Sequence, residues 1–249
     1  MTLAGLIREA ENVVVFTGAG ISTESGIPDF RSPGGIWTKM APIYFDEYVS
    51  SEAARREAWR RRFEDLAHLS SSKPNAGHYA IATLVKAGKV SAVVTQNIDN
   101  LHQDSGVPPE KVIEVHGNAT YAKCLDCGVR IELAVIRAQY DRVGTAEPCA
   151  VCGGLVKSAT ISFGQPMPDA EMERAQDAAL ACDLMFAIGS SLVVYPAAAI
   201  PLLARKNGAR LVILNREPTE LDPHASLVIN GEIGPVMMAL IEDLSLSPV

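Results

Sequence analysis

Charge is scarce in this chain, and long apolar runs are absent. Of 249 residues, 20% are charged and 48% hydrophobic, too little charge for a disordered chain and enough apolar surface for a sizeable core. A surplus of basic residues is missing as well. The formal net charge of -7 gives no general attraction to phosphate backbones or anionic lipid, so neither nucleic acid nor a membrane is an expected partner. The one dense basic run, Arg55 to Arg62, contains Glu57 and is followed by Glu64 and Asp65, the mixed pattern of a solvated helix face. No apolar stretch reaches the roughly 20 residues that cross a bilayer. Met1 to Ala10 carry Arg8 and Glu9 and lack the charged start, apolar stretch and cleavage site of an export signal. A cytoplasmic location is the expectation, and in that reducing compartment clustered cysteines argue for a metal or for chemistry over disulfides. There is no internal repeat or low-complexity tract, and nothing in the sequence fixes an oligomeric state.

What is present is an alternation. Leu3, Leu6, Ile7 and Ala10 fall at helical spacing, and Val13 to Thr17 form a continuous β-branched and aromatic run ending in Gly18-Ala19-Gly20, which reads as helix, buried strand, glycine turn. Similar runs recur at Val90 to Thr95, Leu184 to Ile188, Arg210 to Leu214 and Leu227 to Ile229, separated by helix-like or turn-rich sequence. The pattern predicts an α/β fold with a doubly wound, mostly parallel Rossmann-like sheet, built from residues 1–35, 73–118 and 158–249. Two stretches interrupt it, a polar helix-prone region at 36–72 and a cysteine-bearing segment at 119–157. Together they are expected to form a smaller zinc-binding and helical module.

In an open parallel sheet, ligands bind beyond the carboxyl ends of the strands, so the residues after each strand are the candidates. The first end supplies Gly18-Ala19-Gly20-Ile21-Ser22. Glycine lets a backbone approach a pyrophosphate, and a following helix N-terminus offers free N–H groups. The usual G-x-G-x-x-G is incomplete here, because no third glycine follows, and taken alone the stretch reads more readily as a plain structural turn than as a nucleotide site. The loop continues as Glu24-Ser25-Gly26-Ile27-Pro28-Asp29-Phe30-Arg31-Ser32. The second end gives Gln96, Asn97, Asp99 and Asn100, polar groups that either meet a ligand or cap a turn. His116, followed by glycine, titrates in the range of a general base, although a lone histidine also serves as an ordinary hydrogen-bonded residue.

The cysteines carry the strongest signal that needs no family. Cys124-Leu125-Asp126-Cys127 and Cys149-Ala150-Val151-Cys152 are two C-x-x-C knuckles, each followed by glycine, a pattern that closes a tetrahedral thiolate site for zinc within a small antiparallel module. Four sulfur ligands leave no open coordination position, so such a zinc is structural, and metal-dependent hydrolysis is disfavoured. The fifth cysteine, Cys182, sits among apolar residues and reads as core.

Gly18 to Ser32 resembles the first signature of the sirtuin (Sir2) family, GAGISxxSGIPDFRS. Thr95-Gln96-Asn97-Ile98-Asp99 and His116-Gly117 resemble the second and third, and Gly189-Ser190-Ser191 and Asn215-Arg216-Glu217 resemble later nucleotide-binding turns. The likeness runs to Asn230-Gly231-Glu232 and is of the bacterial type. It implies an NAD-dependent protein-lysine deacetylase: nicotinamide departs as the acyl oxygen of an acylated lysine attacks the ribose, leaving lysine and O-acyl-ADP-ribose. By position, His116 is then the general base and Asn97 orients ribose and a water. Asp99 and the Ile98 backbone hold the carboxamide, Gln96 and Arg31 fix the ribose and phosphate region, and Phe30 shields the centre. The remaining NAD contacts implied are Gly18, Ala19, Gly20, Thr23, Asp29, Gly189, Ser190, Ser191, Asn215, Arg216, Glu217, Glu232 and Ile233. Ile161, Phe163 and Gly164 on one edge, with Val193 and Val194 on the other, are implied to hold an acylated peptide as an added strand. The other histidines, His68, His78, His102 and His224, match no catalytic motif.

Two departures from the family pattern stand out. Lys157-Ser158 and Phe163-Gly164-Gln165 replace a proline and an acid, which puts the detail of peptide recognition in doubt. The Tyr-x-x-Arg pair of family members that remove acidic acyl groups is missing, so neutral acyl groups such as acetyl are the expected substrates. Two other readings stay open: transfer of ADP-ribose to a protein side chain, and a non-catalytic NAD and zinc interaction module.

Overall fold

A computed structural model describes residues 2–29, 35, 38, 40–66 and 71–249. The expected Phe30, Arg31 and His68 lie outside the described residues. In chain order the strands are β1 Val13–Thr17, β2 Val90–Thr95, β3 Val112–Glu114, β4 Gly117–Cys124, β5 Arg130–Glu132, β6 Val156–Thr160, β7 Leu184–Ile188, β8 Arg210–Leu214 and β9 Leu227–Ile229. The α-helices among the described residues are α1 Leu3–Glu9, α2 Phe45–Ser50, α3 Glu52–Arg60, α4 Ala76–Lys86, α5 Leu101–Asp104, α6 Leu133–Val143, α7 Asp169–Ala181, α8 Ala199–Lys206 and α9 Ile233–Asp243.

Six strands form a parallel sheet in the order β3-β2-β1-β7-β8-β9. The chain winds outward from β1 to one edge, crosses the sheet, and winds from β7 to the other edge. That reversal leaves a crevice at the carboxyl ends of β1 and β7, where open parallel sheets bind dinucleotides. Burial on both faces explains why β1 and β7 read as uninterrupted apolar runs, every residue of each being buried. One face packs against α1, α4 and α9 through Leu6, Ile81, Leu84, Met237 and Ile241, and the other against α7 and α8 through Ala175, Ala179, Ile200 and Ala204. Cys182 belongs to this second cluster, as its apolar neighbours in sequence predict.

The second sheet is antiparallel, in the order β5-β4-β6. Its core is small: Trp59 from α3 packs on Ala122, Cys124, Ile136, Cys149 and Val156. Tyr48 of α2 donates its hydroxyl to Val156 O at 2.6 Å, tying the helical insertion to the cysteine-bearing strands. The Arg55 to Arg62 run is mostly the solvated face expected, with Arg60 and Arg61 both paired to Glu57. Arg62 departs from that reading. It lies in the wide turn Arg61–Asp65, its side chain is buried, and it donates to Ala119 O at 3.0 Å.

Candidate active site

The carboxyl ends of β1, β2 and β7 open into a cavity of about 470 Å³, within the range of small-molecule and cofactor sites. Its floor is backbone. A Cβ on Gly20 would lie 2.8 Å from Gly189 Cα, and a Cβ on Gly189, at φ +62°, would lie 2.4 Å from Ile21 N, so the two turns touch only because neither carries a side chain. The Gly18 N–H donates to Ile188 O at 3.1 Å, and the Gly20 N–H donates to Gly189 O at 2.7 Å, lacing β1 to β7. The segment after Gly18 is a 3₁₀ turn, Ala19–Ser25, where the sequence suggested a regular helix. Its Gly20 and Ile21 N–H groups bond within the protein, so the cradle for an anion offers fewer free donors than a helix N-terminus would.

Ala19, Gly20, Thr23 and Asp29 line this cavity from the first loop, and Gly189, Ser190 and Ser191 line it from the end of β7. Asn215, Arg216 and Glu217 follow β8, and Glu232 and Ile233 open α9 on the same wall. Arg216 forms a two-point pair with Glu232, at 3.1 and 3.0 Å. Both side chains are exposed, so the pair shapes a rim and adds little stability. Gly18 lies beneath the wall in contact with Ser190.

From the end of β2, Gln96, Asn97 and Ile98 reach the cavity, as does His116 from the end of β3. His116 Nδ1 lies 3.0 Å from Gln96 O. A carbonyl only accepts, so Nδ1 carries the proton and Nε2 is left with its lone pair. Burial lowers the His116 pKa, and the bond to Gln96 O opposes this only in part, so the ring is neutral at neutral pH. Gln96 Oε1 accepts from the Ser190 hydroxyl at 2.8 Å. Asn97 Nδ2 donates to Ser22 Oγ at 3.1 Å, and Ser22 in turn donates to Asp99 Oδ2 at 2.7 Å. The other carboxylate oxygen of Asp99 accepts the Leu101 N–H at 3.0 Å. Asp99 is therefore one step removed: it does not line the cavity, and burial raises its pKa above the usual carboxylate value. Asn100 is a turn residue, at φ +67° and bonded to Asp104 and Asn118.

Ile161, Phe163 and Gly164 line the cavity on the side of the small sheet, facing Val194 across the opening. Val193 is 40% exposed and lies outside the wall. The Ile161 N–H donates to His116 O at 2.9 Å, and the Phe45 N–H donates to Phe163 O at 2.9 Å. Gln165, the residue standing where an acid was expected, accepts the Ser162 N–H through Oε1 at 3.2 Å. A neutral amide thus does the turn-capping that a carboxylate oxygen would do. Sequence reasoning gave no site role to Glu24 or Met167, which also line the cavity, as does Tyr195 beside the expected Val194. Glu24 sits inside the first signature, and its Oε1 accepts the Gly234 N–H at 2.8 Å, a contact across 210 residues that no local pattern announces.

The Sγ atoms of Cys124, Cys127, Cys149 and Cys152 lie within 4.8 Å of one another, with pairs at 3.5 and 3.8 Å. A tetrahedral ion with Zn–S bonds of about 2.3 Å spaces its sulfurs about 3.8 Å apart. The four cysteines are positioned to bind a zinc ion, and being all sulfur they suit a closed structural site.

Known proteins share this arrangement. The Sir2 family model matches residues 18–196. The chain is 58% identical to NAD-dependent protein deacetylase 1 of Bradyrhizobium diazoefficiens, covering 93% of this chain and 91% of that protein. It is 57% identical to an NAD-dependent protein deacetylase of Rhodopseudomonas palustris, covering 93% and 92%. A solved structure of a Sir2 enzyme with a p53 peptide and NAD+ superposes with a TM-score of 0.86 at 34% identity, over 96% of this chain and 95% of that one. The family model covers most of the chain and the relatives match nearly all of it, and the chain belongs to the Sir2 family.

Proposed function

We propose that the chain is an NAD-dependent protein-lysine deacetylase, releasing nicotinamide and forming O-acetyl-ADP-ribose. The observation that carries this is His116 at the wall of the cavity, held through Nδ1 by Gln96 O so that Nε2, unbonded among the described residues, is left to act as a base. NAD, as co-substrate, supplies the ribose carbon to which the acyl group passes when nicotinamide leaves. His116 Nε2 takes a proton from a ribose hydroxyl, the task of a base poised near neutral pH. Asn97 is held by Ser22 through Nδ2, which turns Oδ1 toward the ribose and a water. The Ile98 backbone takes the carboxamide, and Asp99 supports it from behind through Ser22. Gln96 and Ser190 orient the ribose side, and the Gly20 and Gly189 backbones leave room for the pyrophosphate.

An acylated peptide enters between the Ile161–Gly164 edge and Val194. A zinc held by Cys124, Cys127, Cys149 and Cys152 would brace the small sheet that presents the first of these edges. The two-part division read from the sequence belongs to this proposal, as does a cytoplasmic location; no helix among the described residues is long and apolar enough to cross a membrane.

The test is nicotinamide release from a panel of acyl peptides with and without NAD. Release that requires both NAD and a neutral acyl peptide is expected, with acetyl-lysine cleaved faster than succinyl-lysine. No release with any peptide would overturn the reading. His116→Ala is expected to cost about a hundredfold to ten-thousandfold in rate while NAD still binds.

A further inference from the structure

Two histidines outside the cavity are built into the core beneath it. His78 on α4 and His102 on α5 are 0% and 1% exposed, and their rings lie 5.1 Å apart, centroid to centroid. Burial pushes His102 down to about 4 and His78 well below the usual histidine value, so both rings are neutral at neutral pH. Each has one engaged nitrogen. His78 Nδ1 accepts the Asn75 N–H at 3.3 Å, and His102 Nε2 lies 2.8 Å from Thr17 Oγ1. The remaining atoms, His78 Nε2 and His102 Nδ1, are buried with no hydrogen-bond partner among the described residues. An orphaned buried polar atom costs about 1–3 kcal/mol, a cost an apolar side chain in either place would not incur.

From His102 a line of hydrogen bonds leads to the site. Thr17 and Thr95 are aligned at the ends of β1 and β2, and both are buried. Their hydroxyls meet at 2.8 Å, and Thr95 Oγ1 accepts the Asn97 backbone N–H at 3.0 Å. Asn97 is thus gripped twice. Ser22 and Asp99 hold its side chain, while Thr95, Thr17 and His102 hold its backbone. We propose that His102 is a positioning residue for the reaction, setting the Asn97 backbone through Thr17 and Thr95, with His78 packed against it as its support.

The inference rests on the deacetylase reading for its kinetic consequence only. The test compares Thr95→Val, Thr95→Ser, His102→Leu and His102→Gln with the native full-length chain. Valine and leucine should lower kcat by about tenfold to a hundredfold, the scale of a small misplacement at a reacting centre, leaving the peptide KM unchanged. Serine, which keeps the hydroxyl, and glutamine, which places an amide near Nε2, should restore most of kcat. Because both changes break one chain of bonds, Thr95→Val with His102→Leu together should be little worse than the worse single variant. Amide hydrogen exchange gives a readout independent of turnover: protection of the Asn97 N–H should fall about fivefold or more in Thr95→Val and His102→Leu, the equivalent of one hydrogen bond. Native kcat and native protection in those variants, or serine and glutamine doing no better than valine and leucine, would overturn the proposal. If His102→Leu does not fold, Thr17→Val, which leaves the Thr95–Asn97 bond in place and cuts it off from His102, decides by the same two measurements. An inactive native chain would sink the deacetylase reading, while exchange at Asn97 would still decide the network.

Discussion

Lys157 sits in β6 and is 4% exposed. Its Nζ donates to Thr160 O at 2.6 Å and lies 5.9 Å from the centre of the Tyr48 ring. No carboxylate pairs with it among the described ion pairs. Burial lowers its pKa from 10.5 to about 8. A lysine depressed in this way binds its proton more weakly folded than unfolded. Stability should therefore rise as pH climbs from about 8 to about 10.5, by roughly 3 kcal/mol in all, and the full cost is present below that window. Denaturant unfolding of the native chain and of Lys157→Met across that range checks it: the difference between them should shrink or change sign in the direction favouring the native chain as pH rises. A difference that stays flat would show that the charge is solvated. His116 illustrates what is legible at this scale. Its identity as a candidate base stands in the sequence, but the proton's place on Nδ1 depends on Gln96 O, a backbone atom 20 residues away whose position only the fold sets.

Among the elements, the five strands read from apolar runs, β1, β2, β7, β8 and β9, have the bounds the sequence suggests. β1 and β7 were legible because burial on both faces of a parallel sheet leaves no alternation to confuse with a helix, and β2, β8 and the half-buried β9 because short β-branched runs stand between turn-rich stretches. The three-residue β3 and β5 were not, although β9 is no longer, because each carries a glutamate that breaks the apolar run which Leu227–Ile229 keeps. Four cysteines at knuckle spacing announced their site because thiolate geometry is local to each C-x-x-C pair. What the sequence could not reveal is how little else holds the small sheet, whose cluster of buried residues numbers six. So small a core leans on its metal. Metal analysis is expected to return one zinc per chain, and a chelator should inactivate slowly, in step with loss of the small sheet's structure. Immediate loss that is reversed at once by added zinc would contradict a structural ion.

For the whole molecule, the strand order β3-β2-β1-β7-β8-β9 brings loops as far apart in sequence as Glu24 and Gly234, 210 residues, to one crevice, and hydrophobic periodicity says nothing about such order. Phe30 and Arg31 lie outside the described residues, so their expected roles rest on the motif alone. A ligand gripped by so many segments stabilises them all together. At an NAD concentration about a hundred times its Kd, linkage adds about 2.7 kcal/mol, or roughly 5–11 °C in Tm for a chain of this size. Thermal unfolding with and without NAD should show that shift. It should persist in His116→Ala and vanish in Gly189→Val, because even a Cβ at 189 meets Ile21 N at 2.4 Å. A Gly189→Val chain that folds and keeps the shift would place the dinucleotide somewhere else.

β4 begins one residue after His116 and ends at Cys124, and Ile161, just past β6, bonds back to His116 O. At Gly117 the two strands come so close that a Cβ would meet Ala159 O at 2.0 Å. The arm that carries the four cysteines is thus rooted at His116. With His116 as the base proposed above, a swing of that arm to admit or expel a peptide is expected to shift the imidazole with it, coupling the opening of the cleft to the chemistry.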